Sequence, residues 1–334
     1  MTRLFYLLLF SVAIFSHCDT PPHKNISINE KFYLDLGSTK QYVEITGESE
    51  DNPILLFVHG GPGWPQTPFL RYFNSDLTKK VTLVSWDQRG CGLSYMKDSN
   101  ASNITLTQII ADAHQLTDYL KNHYHKNKIY LAGYSWGSLV GIKLAQEYPD
   151  DYFAYLSISQ VIDLNKSIQV SRKWIKEQAM SAHDSVTLNT IHQLEIHDTS
   201  LCKRPLDCFI KHHDLVNKYN GHIYLKKSQD EIDKAMTAYD DYKKYDWMAG
   251  FVNTAYKVEP DMFNPDISQI KELKIPVYFF VGRHDWTLPA SVTEQFYQKL
   301  KCPEKEMIWF ENSGHEMLEE EASLFNKKVL EKIK

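Results

Sequence analysis

The chain has 334 residues, room for one large domain or for a core that carries an inserted second unit. Hydrophobic residues at 43% and charged residues at 24% are ordinary for a globular enzyme. A net charge of -5 leaves no basic footprint, which excludes nucleic acid as the expected partner.

Residues 1–18 read as a signal peptide, with one positive charge at Arg3 and an almost unbroken apolar run over 4–15. The run is short for a membrane span, so the expectation is export to the periplasm or the exterior. Cys18 follows closely and leaves a lipid anchor open, the one route here to membrane attachment. Phe15, Ser16 and His17 argue against it, because the residue before a lipidated cysteine is usually small. Cys202 and Cys208 flank Lys203-Arg204-Pro205 closely enough for a local disulfide, and free thiols fit the sequence equally well. Asn25, Asn100, Asn103 and Asn165 head Asn-x-Ser/Thr triplets, which matter only in a eukaryotic secretory pathway.

Residues 31–45 alternate apolar and polar about Gly37-Ser38, which predicts an opening hairpin. Buried strands are expected at 54–58, 81–86 and 128–132. Between the last two, 106–123 has a helical period, with Ile109, Ile110, Ala113, Leu116 and Leu120 on one side. After the apolar run at 155–158 the chain turns polar and helix-like, rich in Lys, Asp, His and Tyr. Strand patterns return at 276–281 and 307–310. Short continuous strands alternating with helices predict an α/β fold with a mostly parallel, doubly wound sheet. The expected division is a core of residues 25–160 and 270–334 with an all-helical cap, 161–269, inserted between its halves.

Gly133-Tyr134-Ser135-Trp136-Gly137 follows an expected strand and precedes an expected helix at 138–148. In that setting G-x-S-x-G is a nucleophile elbow: the glycines permit a very tight turn, and Ser135 stands clear of the sheet beside a helix N-terminus. His59-Gly60-Gly61-Pro62-Gly63 follows the 54–58 strand, and its glycines let the backbone approach a ligand. In this fold such a loop supplies one oxyanion donor and the residue after the serine supplies the other. The backbone N–H groups of Gly61 and Trp136 are therefore the candidates. His59, placed before the glycines, is read as a brace for the loop.

A serine nucleophile needs a base, and the base needs an orienting acid, in the chain order Ser, Asp or Glu, His. Asp285 lies just past the 276–281 strand and is the candidate acid, with His284 and Asp266 as rivals. His315, in the loop after the last strand, is the candidate base, with Glu316 and the acidic helix after it read as bystanders. His192, His197, His212 and His213 lack a third ligand at convincing spacing and are read as solvated, so neither a metal nor a cofactor is implied.

With these motifs in place the core resembles the prolyl aminopeptidase (proline iminopeptidase) family of α/β hydrolases. The resemblance rests on the segment from His59 to Gly63, on Asp87-Gln88-Arg89-Gly90-Cys91-Gly92-Leu93-Ser94, on the elbow with Ser138, on Gly282-Arg283-His284-Asp285 and on Ser313-Gly314-His315. It implies release of an N-terminal residue, often proline or a small apolar one, from a small peptide through an acyl-enzyme. Family aminopeptidases also carry acidic cap residues that bind the substrate's α-amino group. No cap segment here matches theirs residue by residue; Glu177, Glu195, Asp240 and Asp241 are candidates by charge. A serine esterase, lactonase or amidase acting on a non-peptide acyl substrate would use the same triad. A non-catalytic binding protein on the fold would not need it. A haloalkane or epoxide hydrolase would want a carboxylate where Ser135 stands.

Overall fold

A computed structural model describes residues 27–95, 103–264 and 267–334. The expected leader with Cys18, the triplets at Asn25 and Asn100, and Asp266 lie outside the described residues. The chain opens with strands β1 (Ile28–Leu36) and β2 (Thr39–Gly47), followed by β3 (Ile54–Val58), helix α1 (Thr67–Phe73) and β4 (Thr82–Trp86). Next come α2 (Leu106–His123), β5 (Ile129–Tyr134), α3 (Trp136–Glu147) and β6 (Tyr152–Ile158). Helices α4 (Leu164–Ser181), α5 (Ser185–Glu195), α6 (Pro205–Lys218), α7 (Lys226–Thr237) and α8 (Trp247–Phe263) separate β6 from β7 (Val277–Gly282). The chain ends with α9 (Ala290–Lys299), β8 (Lys305–Phe310), α10 (Met317–Glu320) and α11 (Ala322–Lys332).

Among the described residues the strands form one eight-stranded sheet in the order β1-β2-β4-β3-β5-β6-β7-β8. β1 and β2 pair antiparallel, as do β2 and β4, and every later pairing is parallel. Strands covered on both faces must be apolar at every position, which is why β3 lacks alternation. Its side chains still point to opposite faces in turn. Ile54, Leu56 and Val58 join the cluster beneath α2, α3 and α9, while Leu55 and Phe57 join the one beneath α1, α10 and α11.

From β3 the chain first moves outward to β4, then returns across β3 to β5. The C-terminal ends of β3 and β5 therefore flank a point where the winding reverses, the usual position of a crevice in such sheets. The glycine loop leaves β3 there, and Ser135 leaves β5. Among helices α4 to α8, Cys202 and Cys208 are joined by a disulfide at the start of α6.

The loop after β4 is fixed by a buried ion pair. Arg89 and Asp112 are 2% and 0% exposed, and the guanidinium donates to both carboxylate oxygens at 2.5 and 2.8 Å. The side-chain amides of Gln41 and Gln108 fill the remaining acceptor positions. Removing one partner strands the other charge without water. Asp112→Ala should lose about 3 to 5 kcal/mol of stability in urea unfolding, whereas substitution at the exposed Asp118 should change it by less than about 0.5 kcal/mol.

Candidate active site

Ser135 sits at the turn between β5 and α3 with φ 51° and ψ -119°, a conformation that costs a non-glycine residue energy. Close packing holds it there. A side chain on Gly137 would overlap the carbonyl oxygens of Val58 and His59, and a Cβ on Gly133 would lie 2.6 Å from the Gly137 carbonyl oxygen. The Ser135 N–H donates to the Ile158 carbonyl at 2.9 Å, which ties the turn to β6.

Around that turn the structure gathers residues far apart in sequence. The Ser135 Oγ lies 2.9 Å from His315 Nε2, and His315 Nδ1 lies 2.8 Å from Asp285 Oδ2. The second Asp285 oxygen accepts from the Leu288 N–H at 2.8 Å, so the carboxylate has a fixed orientation. Asp285 follows β7 and His315 follows β8, which places both on the same rim as Ser135. Burial works against a charged His315, but the charge and hydrogen bond of Asp285, with the charge of Glu316, outweigh it and raise the imidazole's pKa.

Gly61, Ser135 and Trp136 line one side of a cavity whose remaining walls come from Leu139, Val161, Leu164, Phe209, Met262, Leu288 and Thr287. Leu164, Phe209 and Met262 belong to α4, α6 and α8. Trp136 is the first residue of α3, where a helix N–H has no intrahelical acceptor. His59 does not reach the serine. Its Nδ1 faces the Gly60 carbonyl at 2.9 Å, and its Nε2 accepts from the Gln88 N–H at 3.0 Å. Burial pushes its pKa down to about 4, so a neutral ring ties the glycine loop to the loop after β4. Gln88 completes the tie by donating to the His59 carbonyl and accepting from the Trp136 indole.

The acidic residues expected to bind an amine do not line this cavity. Glu177 and Asp240 are exposed, Glu195 pairs with Lys176, and Asp241 pairs with Arg71. His284 stacks on Tyr224 at 3.6 Å between ring centroids. Other residues matter more than their sequence suggested. Glu316 is no bystander: it accepts from Tyr134 at 2.7 Å and from His222 at 2.9 Å. Burial pushes its pKa up, but those hydrogen bonds and the charges His222 and His315 can carry outweigh it and hold the carboxyl below the usual range. His212 is 2% exposed rather than solvated, and His213 contacts His222. The His222 ring stacks on His315 at 4.9 Å, and its carbonyl accepts from the His315 N–H at 2.6 Å. An acid beside a helix start usually faces water, and nothing in the sequence says that Tyr134 and His222 converge on Glu316.

Comparison with known proteins gives this geometry a family. The family model described as serine aminopeptidase, S33, matches residues 54–322. The chain belongs to that family. Its core carries the α/β-hydrolase fold, and it is a serine hydrolase. The probable aminopeptidase YbaC of Bacillus subtilis (strain 168) is 32% identical over 315 residues, covering 91% of this chain and 96% of that protein. A probable proline iminopeptidase of Leptolyngbya boryana is 22% identical over 294 residues, 83% of this chain and 85% of that one. The crystal structure of a proline iminopeptidase-related protein from Thermus thermophilus superposes with a TM-score of 0.63. At 15% identity, over 91% of this chain and 96% of that one, it speaks to the fold alone.

The charge of Glu316 can be tested directly. Replacing it by Gln keeps a side chain that hydrogen-bonds but removes an anion that raises the His315 pKa. Histidine titration by NMR should therefore show His315 in Glu316→Gln losing its proton at lower pH than in the wild type; an unchanged or higher midpoint would show that the anion is not felt.

Proposed function

We propose that this serine aminopeptidase releases an N-terminal proline or small apolar residue from short peptides, with Ser135 as nucleophile. The observation that carries the reading is the unbroken chain of hydrogen bonds from Ser135 Oγ through His315 to Asp285. His315 Nε2 takes the hydroxyl proton as Oγ attacks the carbonyl carbon, and Asp285 holds the ring by its Nδ1–H and offsets the positive charge that forms. The tetrahedral oxyanion lies against the backbone N–H groups of Gly61 and Trp136. His315 then protonates the leaving amine and activates the water that releases the acyl group. The relatives described as aminopeptidase and proline iminopeptidase support the peptide substrate. The largely apolar walls of the cavity support an apolar acyl group.

One observation favours a second reading, hydrolysis of a neutral acyl ester, lactone or amide on the same triad. Among the described residues lining the cavity none is a carboxylate that could offset an ammonium group. We further read the chain as exported. The apolar run at 4–15 supports this, and a Cys202–Cys208 disulfide accords with an oxidising compartment.

A panel of aminoacyl anilides and aryl esters separates the readings. The expected result is turnover of a prolyl or alanyl anilide, little turnover of its N-blocked analogue, and a loss of about 10³-fold or more in Ser135→Ala. Turnover confined to simple aryl esters would replace the peptidase with the esterase, and full activity in Ser135→Ala would remove the mechanism.

A further inference from the structure

Asp285 and His315 stand on different loops, the acid after β7 and the base after β8. The loops meet directly where the His284 N–H donates to the Ser313 carbonyl at 2.9 Å. Beyond that point, residues 221–225, between α6 and α7, are bonded to both. On the acid side the Trp286 N–H donates to the Gly221 carbonyl at 2.8 Å, and His222 Nδ1 lies 2.9 Å from Thr287 Oγ1. The Trp286 indole also stacks on Trp174 of α4, 4.7 Å between ring centroids. On the base side the His315 N–H donates to the His222 carbonyl at 2.6 Å. The Glu320 carboxyl accepts from the Leu225 N–H at 2.6 Å through one oxygen and from the Gly314 N–H at 2.7 Å through the other. This approach is close: a Cβ on Gly314 would lie 2.2 Å from the His222 carbonyl oxygen.

The His222 side chain adds a second hold on the base. Its ring stacks on that of His315 with 27° between the planes, and its Nε2 faces Glu316 Oε1 at 2.9 Å. Glu316, held below the usual carboxylate range, only accepts, so the His222 Nε2–H donates to it whether the ring is neutral or charged. Glu316 accepts in turn from Tyr134, next to Ser135. From the sheet, the Ser159 hydroxyl donates to the His315 carbonyl at 3.3 Å. His222 is not among the described residues lining the cavity, so its contacts bear on His315 rather than on a substrate.

We infer that residues 221–225 form a strap laid across the acid and base loops, and that His222 is a positioning residue for catalysis, keeping His315 Nε2 aimed at Ser135 through its hydrogen bond to Glu316. The inference rests on the Ser135–His315–Asp285 mechanism and holds for a peptide or an ester substrate alike. Proton transfer is steeply sensitive to placement, and a shift of roughly 1 Å costs about 10²-fold in rate. Loss of one support among several should cost less, about tenfold.

Time courses of fluorophosphonate labelling at Ser135, read by intact mass, separate positioning from folding and do not depend on which substrate is natural. His222→Ala should reach one equivalent of label, as the wild type does, but about tenfold more slowly. Acylation and deacylation both use His315, so kcat for an anilide or ester that the wild type turns over should fall by about the same factor, with KM within about twofold. His222→Gln, which keeps an N–H donor for Glu316, should recover to within about threefold of the wild type. Tyr224→Ala removes the stack of the strap on His284 at an exposed position, away from the triad, and serves if His222→Ala does not fold. It should label about threefold more slowly, again to one equivalent. Wild-type rates in the alanine variants, a partial end point approached at the wild-type rate, or a glutamine variant as slow as the alanine one overturns the inference and leaves Ser135 the nucleophile. A wild type that takes no label on Ser135 overturns the mechanism with it.

Discussion

The close approach of Gly137 to the carbonyl groups of Val58 and His59 fixes the geometry on which the site depends. It brings the start of α3 against the end of β3, leaving the turn between them no room for side chains on its flanks. Ser135 is forced into a positive-φ conformation, and its Oγ is carried above the sheet toward His315. The same approach puts the N-terminus of α3 beside the glycine loop, so two backbone donors from distant segments can face one oxygen. Sheet pairing makes this robust. β3, β5, β6, β7 and β8 run parallel, and the loops bearing Gly61, Ser135, Asp285 and His315 all leave from one edge.

A second layer of polar residues lies behind this frame, and it joins the triad to the inserted helices. Glu316 receives hydrogen bonds from Tyr134, next to the nucleophile, and from His222, between α6 and α7. Burial and the nearby charge of Glu316 push the pKa of Glu319 well up, and Glu319 accepts from Gln66 beside α1. One buried network thus touches the nucleophile's strand, the base's loop and the cap. Seating of the cap and orientation of His315 are therefore not independent.

The parts legible in the sequence are those fixed by short-range pattern. β3 and β4 are short apolar runs, and the helix expected at 106–123 is α2 as found, because its apolar positions keep a 3.6-residue period. Ser135, Asp285 and His315 could be nominated from glycine spacing and position after strands, since backbone geometry demands those glycines. The acidic cap candidates rest on charge, and charge carries no information about facing: Glu195 is satisfied by Lys176 at the surface. Glu316 and His222 left no local signal. Their significance comes from contacts across 94 to 182 residues of chain, which no periodicity encodes.

The central claim is that Ser135 is a nucleophile activated by His315. Covalent labelling with a fluorophosphonate ester, read by intact mass and peptide mapping, tests it most directly. One equivalent of label on Ser135, absent in Ser135→Ala and strongly slowed in His315→Ala, is the predicted result. Label on another residue, or incorporation unaffected by either substitution, would contradict it.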